Sequence, residues 1–407
     1  MKNIKLDSIL LFALVVPFVM TYRLSSGNTP FWLFGLIFLG LLSYLVLDLA
    51  GLKEQVYFRL KYILLGFLIV TVIGSAIYSA IVVRHQTHPV YMIHDIIIQQ
   101  EAAVYFLLHG KNPYSTTYFN TPLVLWRYSD KDVNPALYHF VMEPFYLLFA
   151  IPFYLVSNRL FGFFDGRIPL FFLFFSLLLL AGNLVKDKTQ KLLFIILLAF
   201  NPAMLGYTLE GRSDIFMFAF LFLGLFLLHK KRFSIAGIPI GLAFAIKQSA
   251  WPLLPFYFAF LYFKNKKSLK FLKEIIPFLV TFIAITFPFF LWDKKAFLDS
   301  TVFYLSGNIS NGYPISGYGL SMLLHQLGTI KDIHQYYPFQ IWQIIFGVPL
   351  VIVLIIYLKK SATVARLILV YGIFLFIFWY LSRYFNNSHL AYLTVVFITS
   401  YFWPKEG

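Results

Sequence analysis

The chain has 407 residues, of which 60% are hydrophobic and only 12% are charged, and its formal net charge is +16. A soluble domain carries roughly a quarter of charged residues, so this composition excludes a soluble domain with a single anchor and indicates an integral membrane protein. Apolar stretches of about 20 residues alternate with short Lys-rich breaks, which predicts helices rather than a β-barrel. The absence of cysteine excludes disulfides and thiolate metal sites.

The basic residues fall in short clusters between the apolar stretches. These clusters lie at 2–5, 53–61, 186–191, 230–232, 264–273 and 359–366. Cytoplasmic loops of membrane proteins carry such an excess of lysine and arginine, and no basic face interleaved with aromatic residues stands out. The charge therefore predicts a multi-pass protein of a cell membrane, with a bacterial cytoplasmic membrane as first candidate. Its partner is the lipid bilayer, and nucleic acid is not expected.

In chain order, the hydropathy predicts an all-α polytopic transmembrane helix bundle of about 11–13 spans. The predicted spans are 8–24, 31–50, 62–83, 168–185, 192–209, 214–229, 234–247, 250–263, 275–292, 341–358, 362–381 and 388–403. The chain then divides into N-terminal transmembrane helices (1–83), an extracytoplasmic loop with the candidate catalytic residue (84–135), a transmembrane module (136–292), a second extracytoplasmic loop (293–340) and C-terminal transmembrane helices (341–407).

One further apolar stretch, 134–158, does not fit as a span. If it crossed the membrane, the basic residues at 186–191 would lie outside and the positive-inside pattern would fail. Pro144 and Pro152 also interrupt it, and proline breaks a helix. We therefore expect a kinked hairpin that dips into the outer leaflet and returns.

The first outer loop contains "MIHDIIIQQEAAVYFLLHGKNPYSTTYFNTPL" at 92–123. Asp95 stands before a broadly apolar stretch that Gly110 and Pro113 end, which predicts a helix lying in the membrane interface. Asp95 is then held at the membrane surface, where a lipid-linked substrate presents its headgroup. The alternatives are that Asp95 is only a helix N-cap and that Glu101 only occupies a polar face.

Other polar groups follow in outer or outer-facing turns. Arg212 and Asp214 lie in the turn "GRSD", and Lys247 ends the half-span "GLAFAIK". A lysine at that depth is costly unless it snorkels or has a partner. Arg383 and His389 lie in the last outer turn.

Several catalytic motifs do not occur in the sequence, among them HExxH, a P-loop and GxSxG. His88 and His94 are irregularly spaced, which makes a weak metal site. We expect no cofactor; a divalent metal is compatible with the residues but not required.

Taken together, these residues resemble the polyprenyl-phosphate-mannose-dependent mannosyltransferases of the C-type (GT-C) integral-membrane glycosyltransferase superfamily. The resemblance covers roughly residues 85–260. The matching pieces are Asp95, Glu101, "GKNPY" (110–114), "TPL" (121–123), "NP" (201–202), "GRSD" (211–214), and "GLAFAIK" (241–247) with Pro252 and Pro255. Where relatives often carry Asp-x-Asp, this chain has Ile93-His94-Asp95 and keeps one acid.

The resemblance implies transfer of a hexose, mannose first, from a polyprenyl-phosphate donor to a lipid or glycan acceptor by an inverting single displacement. Asp95 would be the catalytic base, and cations would stabilise the leaving phosphate. The implied substrate-binding residues are His94, Glu101, Tyr114, Arg212, Asp214, Lys247 and Arg383. Two alternatives stay open: a lipid-linked glycan polymerase or ligase, and a lipid flippase or transporter. Convergence of the candidate residues in one outer cavity would favour the transferase over the flippase.

Overall fold

The computed structural model describes residues 4–21, 30–127, 133–265 and 269–405. Within these residues the regular secondary structure is helical, apart from one short parallel pairing of β1 (Ser316–Gly317) with β2 (Tyr384–Phe385). The first helices are α1 (Leu6–Thr21), α2 (Phe31–Val46), α3 (Glu54–Leu68), α4 (Ser75–Thr87) and α5 (Asp95–Leu108). The middle helices are α6 (Phe145–Leu148), α7 (Ile151–Phe161), α8 (Arg167–Leu184), α9 (Lys188–Ala199), α10 (Leu205–Glu210), α11 (Asp214–His229), α12 (Phe233–Phe244), α13 (Leu254–Lys264) and α14 (Phe271–Trp292). The last helices are α15 (Lys294–Leu298), α16 (Tyr304–Ser306), α17 (Leu320–Gln326), α18 (Phe339–Lys360), α19 (Val364–Tyr380) and α20 (Asn387–Phe402).

The predicted all-α polytopic bundle is confirmed. Within the described residues, four helices are long and apolar enough to cross a membrane: Glu54–Thr87, Arg167–Leu184, Phe271–Trp292 and Phe339–Lys360. The first of these joins α3 and α4 through a π-helical segment, Ile69–Gly74. Shorter apolar helices of 10–17 residues, including α1, α2, α11, α12 and α19, complete the bundle.

One predicted span is wrong in its extent. The stretch 192–209 is not a single helix, because α9 ends at Ala199 and α10 begins only at Leu205. The break contains Asn201 and Pro202; proline has no N–H for the helix ladder and disfavours helical backbone in the residue before it. Asn201 caps this corner, since its side-chain oxygen accepts a hydrogen bond from the Ala203 N–H (3.0 Å).

The ends of the helices sort into two opposite groups. At one end, here called the Asp95 end, Arg84 in the last turn of α4 meets Asp165 before α8 (2.9 Å), and the His94 backbone N–H donates to the Glu210 carbonyl (2.7 Å). At the other, the Lys188 end, Lys188 at the start of α9 pairs with Glu54 at the start of α3 (2.9 Å). Helices α4 and α8 therefore run in opposite directions between the two ends.

The stretch 134–158 begins and returns at the Asp95 end. Asn134 donates a hydrogen bond to Asp95, and Asp165, just past α7, bonds Arg84. Pro144 and Pro152 stand at the starts of α6 and α7, where a missing N–H costs nothing. This return to the starting end is the geometry that the hairpin interpretation requires.

A buried ion cluster joins α4, α5 and α8 at the Asp95 end. The Arg84 guanidinium makes a two-pronged contact with Glu101 (2.7 Å to each oxygen) and a third bond to Asp165 (2.9 Å). Asp165 also accepts from Arg167 (2.8 Å). Burial by itself would raise the pKa of the Asp165 carboxyl, but Arg167 first and Arg84 after it hold that pKa well below its ordinary value.

A second buried cluster joins the first three helices near the Lys188 end. The Lys61 ammonium on α3 lies 3.1 Å from Asp7 on α1 and 2.9 Å from Asp48, which follows α2. The Tyr44 hydroxyl donates to Asp7, and the Tyr57 hydroxyl donates to Asp48. A fully buried charge is tolerated only when it is paired and hydrogen-bonded, as it is here.

Candidate active site

A cavity of about 550 Å³ lies at the Asp95 end of the bundle. It lies among the start of α5, the start of α11, the turn after α12, and the turn between α19 and α20. Of the residues that the sequence singled out, the cavity is lined by His94, Asp95, Arg212, Asp214, Lys247 and Arg383, and also by His389. Glu101 and Tyr114 do not line it.

Asp95 is the first residue of α5 and not its cap. The cap position belongs to His94, and 4% of Asp95 is exposed. The Asp95 carboxylate contacts His94 Nδ1 (2.7 Å) and accepts a hydrogen bond from Asn134 Nδ2 (3.1 Å). These contacts orient the carboxylate at the wall of the cavity.

The Asp95 contact decides the tautomer of His94. The same Nδ1 lies 2.7 Å from the Asp95 carboxylate and 3.3 Å from the Ile96 N–H. A nitrogen that accepts from Ile96 could not also donate to Asp95, and two acceptors at 2.7 Å would repel. The shorter contact is decisive, so Nδ1 carries the proton and His94 donates to Asp95.

Lys247 forms an ion pair with an acidic side chain instead of only extending toward water. It follows α12 in extended backbone, and its ammonium lies 2.6 Å from Asp214 Oδ1. Asp214 is the first residue of α11, where the helix dipole favours a negative charge. The lysine side chain is 21% exposed. An ammonium has three N–H donors, so the pair leaves donors that can face an anion in the cavity.

Arg212 stands beside this pair, in the turn between α10 and α11. Its guanidinium stacks on the Tyr207 ring (4.5 Å to the centroid), and Nη1 donates to Ser388 Oγ (3.3 Å). Nε lies 3.7 Å from Glu210, too far for a hydrogen bond. The guanidinium is thus held in place while part of its donor edge is uncommitted within the described residues.

Arg383 lines the cavity, but its guanidinium N–H groups bond to backbone carbonyls of the protein. Its guanidinium donates to the carbonyls of Tyr313, Gln335 (2.8 Å) and Ile333 (3.1 Å). Burial lowers the pKa of Arg383 to about 10, so the group stays charged at neutral pH. The structure therefore places this cation as an anchor for the loops that follow α16 and α17, a role that its sequence position did not indicate.

Two predicted substrate contacts lie outside the cavity. Glu101 is held by Arg84 and accepts the Gly166 N–H (2.9 Å), which makes it part of the buried ion cluster. Tyr114 is 3% exposed, and its hydroxyl donates to the Met142 carbonyl (2.9 Å). Both residues therefore stabilise the segment 84–135 through contacts outside the cavity.

The cavity also contains His389, which the sequence had marked, and an apolar wall, which it had not. His389 forms a capping box with Asn386, in which Nδ1 accepts the Asn386 N–H (2.9 Å), so Nε2 carries the proton. The other wall is apolar and is formed by Trp251, Pro252, Phe339, Phe374 and Phe378. Those residues come from three separate segments, and their apolar character is ordinary for spans, so no sequence pattern identified them.

No cluster of three or more His, Asp or Glu side chains is arranged to hold a metal ion within the described residues.

The fold and the cavity together define a polytopic helical membrane protein with a charged site at one end of its bundle. The model of glycosyltransferase family 87 matches residues 140–399, and the chain belongs to that family. It is accordingly a membrane glycosyltransferase. The match includes Arg212, Asp214, Lys247 and His389, and it begins after Asp95. No curated protein and no solved structure matches the chain.

Proposed function

We propose that the enzyme transfers a hexose, with mannose as first candidate, from a polyprenyl-phosphate donor to a lipid or glycan acceptor. The observation that carries this proposal is the shared cavity, in which the carboxylate of Asp95 and the cations Arg212 and Lys247 line one space. A displacement at a sugar phosphate needs a base for the acceptor and positive charge for the leaving group. The cavity offers both.

In the proposed step, the acceptor hydroxyl oxygen attacks the anomeric carbon while the bond from that carbon to the phosphate oxygen breaks. The hydroxyl proton passes to Asp95, and the electron pair of the broken bond leaves with polyprenyl phosphate. Arg212 and Lys247 stabilise the charge that develops on the phosphate. One displacement inverts the anomeric centre.

The apolar wall supports a lipid-linked donor. Trp251, Pro252, Phe374 and Phe378 line the same cavity as Lys247, so an isoprenoid chain can lie on apolar surface while its phosphate meets the ammonium. A nucleotide sugar has no isoprenoid chain to lie along that wall. We propose on this ground that the donor is a polyprenyl-phosphate sugar.

The side of the membrane follows from the charge distribution. Basic clusters mark the cytoplasmic side of membrane proteins, and Lys188 lies at the end opposite to Asp95, beside Glu54. We propose that the cavity faces the extracytoplasmic side of a bacterial cytoplasmic membrane. A flippase would instead need polar groups along a path through the bilayer.

The test uses the purified full chain in lipid nanodiscs with radiolabelled polyprenyl-phosphate mannose and a panel of lipid acceptors. We expect label in the acceptor, with inverted configuration, and no label from nucleotide sugars. Transfer from a nucleotide sugar alone would overturn the donor assignment. Products of increasing length would favour the polymerase alternative, and loss of transfer after chelation would add a metal to the mechanism.

A further inference from the structure

Two glutamines at the cavity wall are tied by their nitrogens. Gln248 Nε2 donates to the carbonyls of Val141 (2.9 Å) and Thr301 (3.2 Å) and to Glu143 Oε1 (3.2 Å). Gln99 Nε2 donates to the carbonyls of Ala136 and His139 (2.8 Å from the latter). In both side chains the nitrogen is committed to the protein framework.

These contacts fix which amide atom is the oxygen. A flipped amide would bring its oxygen to about hydrogen-bond distance from two backbone carbonyls, which have no proton to offer. The carbonyl oxygens of both glutamines are therefore the atoms left over. Gln99 Oε1 is buried and has no hydrogen-bond partner among the described residues, and none of the hydrogen bonds of Gln248 in the described part of the chain uses its oxygen.

The Gln99 oxygen is a buried acceptor with no donor among the described residues, which is costly, so it calls for a ligand that donates. A phosphate carries few or no donors at neutral pH, whereas each hydroxyl of a sugar is a donor. Gln248 directly follows Lys247, and Gln99 lies one helical turn beyond Asp95 on α5. All four residues line the one cavity, so the two glutamines share it with the proposed base and the proposed phosphate contact.

We propose that Gln248, with Gln99, forms a sugar-binding subsite whose two carbonyl oxygens accept hydrogen bonds from hydroxyls of the transferred hexose. This subsite rests on the proposed function, because it assumes that the donor brings a hexose into the cavity. It would make Gln248 a specificity-determining residue: donors lacking the hydroxyl that it meets would bind more weakly.

The test measures binding rather than turnover. The affinities of polyprenyl phosphate and of polyprenyl-phosphate mannose are compared in nanodiscs for the wild type, for Gln248→Met and for the control Gln343→Met. Gln343 lines the same cavity and also donates to a backbone carbonyl, that of Phe378. We expect mannose to strengthen wild-type binding, and Gln248→Met to lose about 5–10-fold of that increment, the size of one hydrogen bond. Plain polyprenyl phosphate should bind all three proteins equally.

An unchanged increment in Gln248→Met, or no increment in the wild type, would overturn the subsite while leaving the donor class intact. Failure of plain polyprenyl phosphate to bind the wild type would instead overturn the proposed donor and the subsite with it. If Gln248→Met weakens plain polyprenyl phosphate too, Gln248→Asn replaces it, since it keeps an amide that is one methylene shorter. Monodeoxy donors complete the test: the penalty for removing one hydroxyl should disappear in the Gln248 variant, and equal penalties would contradict the proposal.

Discussion

At the scale of single residues, the neighbours of Asp95 explain how its carboxylate keeps a fixed orientation in apolar surroundings. His94 donates to one oxygen and Asn134 to the other. Both donor residues are themselves fixed. The backbone N–H of His94 bonds the Glu210 carbonyl, and the Asn134 side chain caps a short turn. The carboxylate is therefore oriented before any substrate binds, which lowers the cost of reaching the reactive geometry.

Asp95→Asn should fold normally and lose transfer by about 10²–10⁴-fold, because the amide cannot take a proton from the acceptor. The matched control is Asp187→Asn, which alters the acid that caps α9 at the other end of the bundle and should keep full activity. Turnover is measured on protein whose melting temperature is checked first. Near-wild-type transfer by Asp95→Asn would remove this residue from the mechanism.

Lys247→Gln should reduce turnover by about 10²–10³-fold at saturating donor. It removes the positive charge that stabilises the leaving phosphate, and it leaves Asp214 without its lysine partner. Lys247→Arg should restore only part of the rate, because a guanidinium differs from an ammonium in shape and donor geometry. Lys295→Gln, an exposed lysine paired with Asp299, serves as control and should be silent. Unchanged turnover in Lys247→Gln would assign the phosphate to Arg212 instead.

The sequence identified residues whose chemistry was unusual for their surroundings, and it could not identify their partners. Asp95 and Lys247 stood out because a lone charge beside an apolar stretch needs a reason. Glu101 looked equally exceptional, but its partner Arg84 lies on another helix and its second neighbour, Gly166, lies beyond the hairpin. Such long-range pairing depends on the packing of α4 against α5 and α8, which no local pattern encodes.

At the scale of helices, the ion cluster around Asp165 fixes α5 against two neighbours and so fixes the position of its first residue, Asp95. Arg84 reaches across from α4, and Arg167 extends from α8 to the Leu209 carbonyl (3.3 Å) before α11. The Asp165 carboxylate and its two arginines thus connect α4, α5, α8 and α10, and of these α5 lines the cavity. The arrangement is structural support for the site rather than part of its chemistry.

Asp165→Asn should destabilise the protein by about 3–5 kcal/mol, the usual cost of leaving a buried charge without its partner. The control is Glu54→Gln, which breaks the exposed pair with Lys188. It should lower the free energy of unfolding by at most about 1 kcal/mol, the value of a surface ion pair. Melting temperatures in detergent measure both.

The pH dependence has a definite sign. Because the folded pKa of Asp165 is held below its ordinary value, its stabilising charge is present above the unfolded pKa and is lost only as pH falls through the folded one. The difference between the wild type and Asp165→Asn should therefore be constant from pH 6 to 8 and shrink in acid. A difference that grew in acid would contradict this assignment.

Helix boundaries were predictable where capping chemistry is local, and not where a short helix follows a corner. The limits of α11 and α20 lie within a residue or two of the predicted 214–229 and 388–403. The corner at Pro202 was missed because the flanking residues on both sides are apolar, so the hydropathy continued through it. Hydropathy averages over a window and cannot register one interrupted turn.

At the scale of the whole molecule, the placement of the site depends on the return of 134–158. If this stretch returns, we expect positions 188 and 210 on opposite sides of the membrane, since Lys188 pairs with Glu54 at one end of the bundle and the Glu210 carbonyl bonds the His94 backbone N–H at the other. The chain contains no cysteine, so single-cysteine variants give an unambiguous readout. Lys188→Cys should react with an impermeant thiol reagent only after the membrane is opened, and Glu210→Cys in intact cells. Labelling of position 188 in intact cells would contradict the topology and the outward-facing site.

The Lys61 cluster has a consequence for how the chain is made. All of its ionic members, Asp7, Asp48 and Lys61, lie ahead of every cavity residue of the described chain, so they leave the ribosome and reach the membrane before those residues do. Charged groups in lipid find a partner as soon as one is available, and domains generally fold from the N-terminus during translation. The first three helices can therefore pack together in the membrane while the rest of the chain is still being translated. Each later helix is then inserted next to helices that are already packed.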